Sequence, residues 1–111
     1  PDFILWLLVA GHQYVTFVDP KGLRNLRGPE DPKISFYHTI KDVERRLGDP
    51  DIVLNSFIVA PTPYKEVAHW NAGSGPMSIS DFKARNVYFQ VDERSSYVGN
   101  ILARIVSPQT N

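Results

Sequence analysis

The chain has 111 residues, 42% of them hydrophobic, with no cysteine and with twelve basic against twelve acidic side chains. This length supports one domain with a single core, and the lack of cysteine excludes disulfides, thiolate nucleophiles and thiolate metal sites, in agreement with a reducing cytoplasm. Because the chain has no net charge, we expect no general attraction to nucleic acid, so any basic surface must be local.

The first elements predicted in chain order are two strands that form a hairpin. Residues 3–9 are all apolar and rich in β-forming side chains, and residues 14–18 are β-branched or aromatic. Gly11 supplies the turn between them. The apolar stretch from residue 3 to residue 10 is far shorter than the roughly eighteen residues that a membrane span needs, so no membrane segment is expected.

Charged side chains lie at both ends of this hairpin. If the chain reverses through residues 10–12, the residue numbers of each cross-strand pair add up to about 21 or 22. This sets Asp2 opposite Asp19 or Pro20. Side chains alternate between faces, so Lys21 projects on the same side as Asp19 if the strand stays extended through Pro20. We therefore expect two carboxylates and a lysine to converge at one strand end.

That convergence has a chemical interpretation. Two carboxylates placed together are costly unless a cation lies between them, and hard oxygen ligands suit Mg²⁺ or Mn²⁺. A nearby ammonium group can orient or help deprotonate an attacking water, or stabilise negative charge that grows on phosphorus. The combination fits phosphodiester hydrolysis.

The order Pro1-Asp2, hairpin, Asp19-Pro20-Lys21 resembles the motif of the PD-(D/E)XK nuclease superfamily. More narrowly, several runs resemble the C-terminal endonuclease domain of type III restriction enzyme Res subunits and related helicase-linked proteins. These runs cover residues 3–6, 14–22, 54–58 and 86–90. The resemblance spans most of the chain.

The resemblance implies a fold and an activity. The fold is α/β and restriction-endonuclease-like, a mixed sheet with a central β-hairpin flanked by helices. The family's first helix and strand are absent here, so residues 1–111 are expected to be one truncated nuclease-like domain, and an acidic residue upstream of Pro1 has no counterpart. Asp2 and Asp19 would hold Mg²⁺ or Mn²⁺, and Lys21 would act on the water or the phosphate.

The same resemblance implies partners. The substrate would be DNA, a helicase motor would lie in the same polypeptide, and a methyltransferase subunit would join the assembly. The sequence has no glycine-rich phosphate loop, so ATP would bind outside these residues. A rival interpretation is a catalytically silent nuclease fold that binds nucleic acid or docks a helicase or methyltransferase partner.

The tripeptide alone is weak evidence, because an acid-x-Lys sequence arises by chance about once in a chain of this size. Asp31-Pro32-Lys33 and Asp81-Phe82-Lys83 have the same pattern, but each is predicted to begin a helix. Only the Asp19 copy follows an acid-bearing hairpin. Its simpler alternative is a charged strand end that faces solvent.

A basic loop follows the hairpin. Lys21, Arg24 and Arg27 lie in a stretch that has no acidic residue until Glu30. They are candidates for phosphate contacts beside the site, and the alternative is a solvated polar loop.

A helix of about four turns is predicted from Asp31 to Gly48, since Pro32 suits a first turn and Pro50 follows the end. Its apolar stripe is expected to pack on the sheet, and its charged residues are expected to face water. The stripe consists of Phe36, Ile40, Val43 and Leu47, and the charged residues are Lys41, Asp42, Glu44, Arg45 and Arg46.

A strand buried on both faces is predicted over residues 52–59, ending before Pro61. Asn55 and Ser56 interrupt its apolar run. We expect both to satisfy neighbouring backbone groups, with a substrate contact as the alternative.

The remaining predictions cover the last half of the chain. Residues 61–80 form a long loop with a turn of helix near Tyr64, and Trp70 anchors it to the core. A short helix at 80–85, a strand at 87–91 and a helix capped by Ser95 or Ser96 follow, and residues 107–111 are expected to fray. Without a preceding strand, the outer edge of the hairpin would dimerise, aggregate or recruit another strand.

Overall fold

A computed structural model describes residues 2–107 of the chain. Its strands are β1 (Phe3–Val9), β2 (His12–Pro20), β3 (Ile52–Ala60) and β4 (Val87–Phe89). Its α-helices are α1 (Pro32–Leu47), α2 (Ile79–Ala84), α3 (Gln90–Glu93) and α4 (Ser96–Val106). Within the described range, no helix is long and apolar enough to cross a membrane.

The four strands form one sheet in the order β1-β2-β3-β4. β1 and β2 are antiparallel, while β3 is parallel to both β2 and β4. A parallel connection needs a crossover, and α1 supplies it between β2 and β3. The predicted α/β class with a mixed sheet is therefore confirmed.

The hairpin has the predicted turn and register. Ala10 and Gly11 both have positive φ, +50° and +81°, as a two-residue turn between right-twisted strands requires. Paired positions run from Phe3 with Val18 to Val9 with His12. Each pair therefore sums to 21, which is one of the two predicted values.

The position of the hairpin differs from the prediction. Within residues 2–107, β1 is an edge strand, and the interior strands are β2 and β3. Every residue from Leu54 to Ala60 is buried, whereas most of β1 is exposed. Thus β3, and not the hairpin, forms the centre of the sheet described here.

Helix α1 begins and ends where its capping residues predict. The carboxylate of Asp31 accepts the backbone N–H of Lys33 at 2.9 Å. Gly48 has the left-handed φ of +68°, and its N–H donates to the Glu44 carbonyl. These contacts satisfy backbone groups that the helix itself leaves unpaired.

The predicted apolar stripe of α1 is only partly correct. Ile40 is buried, but Phe36, Val43 and Leu47 are 37%, 43% and 53% exposed. The second buried apolar residue is Ile34, two residues before the first residue of the predicted stripe. The helix is rotated relative to the predicted stripe, and this brings polar side chains towards the sheet.

Lys41 and Glu44 lie on that rotated face, although both were expected to face water. The Glu44 side chain accepts the Leu54 N–H at 2.6 Å and the Lys41 ammonium at 3.1 Å. The reason is topological: among residues 2–107, β4 pairs with β3 only at residues 58–60, and no strand pairs with the earlier part of that edge of β3. Glu44 satisfies a backbone donor at this edge.

Two apolar clusters lie on opposite faces of the sheet. One joins Ile34 of α1 to Ile58, Phe82, Phe89 and the long loop, and it includes Trp70. The other packs Ile101 and Ile105 of α4 on Phe57, Val59 and Tyr88. Trp70 is 8% exposed, so its predicted role as the anchor of the 61–80 loop is confirmed.

The C-terminal elements are close to their predicted positions. Ser78 and Asp81 form a capping box, so the cap of α2 is Ser78, two residues before Ser80. β4 ends at Phe89, because the Phe89 N–H donates to the Glu93 carboxylate at 2.7 Å and the chain turns into α3. The predicted fraying at 107–111 lies, apart from Ser107, outside the described residues.

The two tryptophans give a matched test of this core. We expect Trp70→Ala to lower the free energy of unfolding by about 3–5 kcal/mol, because it removes a large buried side chain. Trp6→Ala should cost less than about 1 kcal/mol, since Trp6 is 64% exposed. Urea unfolding followed by circular dichroism measures both, and similar losses would contradict the assigned burial.

The capping carboxylate of α1 should make the stability of the protein depend on pH. Hydrogen bonds from the backbone N–H groups of Lys33 and Arg27 hold the pKa of Asp31 below its usual range. The stabilisation is therefore complete above the unfolded pKa of about 3.9 and is lost as the pH falls through the lower folded value. Asp31→Asn keeps a capping oxygen but cannot ionise. We therefore expect its melting temperature to fall less between pH 6 and pH 2 than that of the parent protein.

Glu30 offers the control for this measurement. It is exposed and, within the described residues, accepts no side-chain hydrogen bond. Glu30→Gln should keep the acid sensitivity of the parent. If Asp31→Asn did so as well, the carboxylate would not be the group that links α1 to pH.

Candidate functional site

The candidate site lies where β2 ends. The Lys21 Nζ lies 3.6 Å from the Asp19 Oδ2, and the two side chains are 25% and 31% exposed. Pairing with β3 keeps the strand extended through Pro20, and the Lys21 N–H then donates to the Val59 carbonyl at 3.1 Å. The acid and the lysine thus share one face, as strand alternation predicts.

These two side chains line a cleft of about 330 Å³ between the sheet and the first turn of α1. The sheet contributes Ser56 and Ile58 beside Asp19 and Lys21. The helix contributes Pro32, Lys33 and Phe36. The cleft therefore combines an acid, two ammonium groups and a hydroxyl with an apolar floor and wall.

Asp2 lies near this cleft but does not line it. The last observed pair is Phe3 with Val18, so the register, continued by one residue, places Asp2 opposite Asp19. The Asp2 side chain is exposed. Across residues 2–107, no group of three or more His, Asp or Glu side chains is close enough to hold a metal ion. The structure thus joins Asp19 to Lys21 and leaves Asp2 at the adjoining strand end.

Both loop arginines have acidic partners. Arg24 makes two bonds to Glu66, from Nε at 2.7 Å and from the terminal nitrogen at 2.8 Å. This pairing raises the pKa of Arg24 and lowers the pKa of Glu66. The Arg27 Nε lies 3.9 Å from the Asp31 carboxylate. Residues 21–29 contain no acidic residue, but in the structure Glu66 and Asp31 lie beside the two arginines.

The N-terminus of α1 faces the cleft, yet its first amides are already bonded. The Lys33 N–H donates to the Asp31 side chain. The N–H groups of Ile34 and Ser35 donate to the Asp31 carbonyl at 2.8 and 2.9 Å, and Pro32 has no N–H. An anion in the cleft would therefore be met by the ammonium groups of Lys21 and Lys33 and not by backbone amides.

Three cleft residues lie outside the site that the sequence predicts. The sequence predicts Lys33 at a helix start and Phe36 in the core, and it favours backbone contacts for Ser56, with a substrate contact as the alternative. The parallel register, with Phe17 opposite Ser56 and Asp19 opposite Ile58, places Ser56 on the Asp19 face. No sequence pattern specifies which residues of β2 and β3 lie opposite each other. The face on which Ser56 lies relative to Asp19 is therefore known only from the paired strands.

The expectation for Asn55 is not met. Its Nδ2 is buried and, within the described residues, has no hydrogen-bond partner. The same is true of the Thr16 hydroxyl, which lies directly across from Asn55 on β2. The Ser56 carbonyl is satisfied by the side chain of Asn86 at 3.0 Å. The side chain that bonds to the β3 backbone here is therefore Asn86, the residue directly before β4.

Comparison with protein families, with curated proteins and with solved structures found no match for the chain. The resemblance to PD-(D/E)XK nucleases therefore rests on the residues of the hairpin and on the shorter runs quoted above. The geometry of the Asp19 cleft is the independent physical evidence about function.

Proposed function

We propose that the chain is a metal-dependent endonuclease domain that hydrolyses DNA phosphodiester bonds at the Asp19 cleft. The observation that carries the proposal is the pairing of Asp19 with Lys21 at 3.6 Å on the rim of a cleft. An acid that attracts a cation and an ammonium that stabilises a phosphate are the two groups that such hydrolysis needs. Both are half-buried, so their interactions are screened less than at the open surface.

The donor set fits Mg²⁺ or Mn²⁺. Mg²⁺ keeps several waters and binds through one or two carboxylates together with substrate phosphates. Asp19 supplies one carboxylate within the cleft, and the hairpin register allows Asp2 to supply another. When bound, the ion would polarise the phosphate and make a bound water more acidic. A cluster of three protein ligands is not required for this type of site.

The chain's own residues account for the remaining tasks. The Lys21 ammonium, held by the extended backbone after Pro20, offsets negative charge on the scissile phosphate or orients the attacking water. Lys33 approaches the same cleft from α1 and adds a second cation. The Phe36 ring, which is 37% exposed, gives the cleft an apolar wall against which a sugar or base can pack.

The surroundings of the cleft support a place in a larger assembly. The chain has no net charge, and Arg24 and Arg27 are both paired with acids, so the loop beside the cleft offers little free positive charge to duplex DNA. DNA affinity would then come mainly from a helicase motor in the same polypeptide, with a methyltransferase subunit as partner, as in type III restriction systems. The nuclease domain would contribute the cut.

One observation favours a second candidate function. Asp2 is exposed and outside the cleft, and the Arg24 guanidinium is held by Glu66. A catalytically silent nuclease fold that docks a helicase or methyltransferase partner would need neither group. Metal binding and cleavage separate the two candidates.

Removal of the central groups should abolish cleavage. In the full-length protein, we expect Asp19→Ala and Lys21→Ala to slow Mg²⁺-dependent cleavage of duplex DNA on the order of 10²–10³-fold each, because each group acts mainly in the transition state. DNA affinity should change little, since it is spread over many phosphate contacts. Single-turnover cleavage assays and equilibrium binding at one fixed salt concentration measure the two effects.

Arg46→Ala is the matched control. Arg46 is an exposed cation at the far end of α1, roughly 20 Å from the cleft at 1.5 Å per helical residue. It should cut at the parent rate. Parent-like cleavage by folded Asp19→Ala and Lys21→Ala proteins would reject the site and favour the docking module.

Metal binding can be measured without a substrate. Because an ion that binds only the folded state stabilises it, the melting temperature should rise steadily with Mn²⁺ concentration in the millimolar range. Asp19→Asn should remove most of this rise, and Asp2→Asn should reduce it. Glu30→Gln, a neutralised carboxylate in the following loop, should leave it unchanged. A melting temperature that ignores Mn²⁺ would contradict the proposed metal site.

A further inference from the structure

The Asp19 cleft places apolar surface beside its charged groups. Phe36 lines it from α1 and remains 37% exposed, so part of its ring is not covered by the sheet. Ile58 of β3 belongs to the same lining and is almost completely buried. A partly exposed aromatic ring in a concave place is a surface on which another flat ring can stack.

The two cations of the cleft come from different elements. Lys21 follows β2, and Lys33 lies in the first turn of α1, so the ammonium groups approach from the sheet and from the helix. Lys21 is paired with Asp19, whereas the exposed Lys33 makes no ion pair among residues 2–107. A phosphate in the cleft would therefore meet one ammonium group from each side, and that of Lys33 has no acid to displace.

We propose that the cleft binds one unpaired nucleotide of a DNA strand. The base would stack on Phe36, and its phosphate would lie beside Lys21 and Lys33. The cutting of this strand rests on the proposed nuclease function, to which the inference adds a substrate class. That class is DNA with unpaired bases, whether single-stranded, frayed or opened as a bubble, in preference to a fully paired duplex.

The size of the cleft suits one nucleotide of one strand. Its volume of about 330 Å³ lies at the lower end of the range of small-molecule sites, roughly 300–1,000 Å³. The side chains of Lys21 and Asp19 are only 25% and 31% exposed, so the reacting groups lie partly inside it. A strand that is free of its complement can bend into this space, whereas a base pair, with two bases and two sugars, is too large for it.

The apolar wall favours an unpaired base over a paired one. Within a duplex, the neighbouring base pairs cover both faces of each base, so Phe36 would meet only sugars, phosphates and base edges. An unpaired base offers a free face, and stacking on an aromatic side chain strengthens binding by a factor of about 5–150 per base. The cost of separating a base from its partner is also least where the base is already unpaired.

The charge around the cleft also suits one strand. Arg24 and Arg27, the cations of the neighbouring loop, are paired with Glu66 and Asp31. The loop therefore adds little positive charge for a complementary strand. The two lysines of the cleft can still neutralise the phosphates on either side of one nucleotide.

Binding without a divalent ion tests the proposal apart from cleavage. Fluorescence anisotropy of the purified chain in EDTA, at one fixed salt concentration, compares a short oligodeoxythymidine with a fully paired DNA hairpin of the same length. The oligodeoxythymidine should bind at least about tenfold more tightly, because only its bases have free faces for Phe36.

Substitutions on α1 locate the preference. Phe36→Ala should weaken binding of the oligodeoxythymidine by a factor of about 5–150 and change binding of the hairpin little. Phe36→Trp keeps an aromatic ring and should keep the preference, and Lys33→Ala should weaken binding of the unpaired strand. Leu47→Ala shortens another exposed apolar residue of α1, about three turns further along, and should bind like the parent. Circular dichroism confirms that each variant is folded.

Thymidine 5′-monophosphate distinguishes a strand from a free nucleotide as the ligand. It should displace the oligodeoxythymidine only at a much higher concentration, because it offers one base and one phosphate. Displacement at an equal concentration would make a free nucleotide the ligand and would contradict a site for a DNA strand.

The outcomes separate this proposal from the nuclease function. A hairpin that binds as tightly as the oligodeoxythymidine, or a Phe36→Ala protein that binds both like the parent, would overturn the site for an unpaired nucleotide. Cleavage by the Asp19→Ala protein would still decide the nuclease function. If that protein cut DNA at the parent rate while Phe36→Ala lost the preference for the unpaired strand, the nuclease function would fail and the binding site would remain.

Discussion

The parallel pairing of β2 with β3 is the constraint on which the rest of the molecule depends. Parallel strands cannot be joined by a tight turn, so residues between them must cross one face of the sheet, and α1 does this. The crossover brings the first turn of α1 back to the end of β2. The same pairing holds the chain extended beyond Pro20, so that Lys21 stays beside Asp19. The position of α1, the cleft beneath its first turn and the closeness of Asp19 to Lys21 all follow from the pairing of β2 with β3.

Local features of this fold were predictable from sequence, because each depends on neighbouring residues. Gly11 fixed the hairpin turn and its register, and Asp31 with Gly48 fixed the bounds of α1. Features that depend on distant residues were not predictable. The rotation of α1 follows from an unpaired edge of β3 that Glu44 satisfies, and the partner of Arg24 lies forty-two positions away at Glu66. The same holds for the site. Asp19 and Lys21 could be predicted together because they are close in sequence, whereas Ser56 reaches the cleft only through the pairing of β2 with β3.

Several charged side chains of the molecule form ion pairs, and this helps to explain why a neutral composition still leaves a distinct site. Arg24 with Glu66 and Lys83 with Glu93 bring together groups that lie apart in the chain, whereas Arg27 pairs with Asp31 four residues later. Asp31 has two roles, because it caps α1 and also attracts Arg27. Beside these pairs, the cleft contains two lysines and one acid among its lining residues. An excess of positive charge in a concave place favours an anionic ligand even when the whole surface does not.

The apolar strand β1 also has a consequence during synthesis on the ribosome. A hairpin closes in roughly 1–10 μs, whereas residues 21–60, which bring α1 and β3, take several seconds to emerge at about 5–20 residues per second. For that time the hairpin exists without the strand that shields its inner edge, and both of its edges are open. Neighbouring nascent chains on one messenger then have time to pair through the wrong edge. Slow translation of the codons for residues 21–60 would prolong this exposure, so the yield of folded protein depends on the speed of synthesis as well as on final stability.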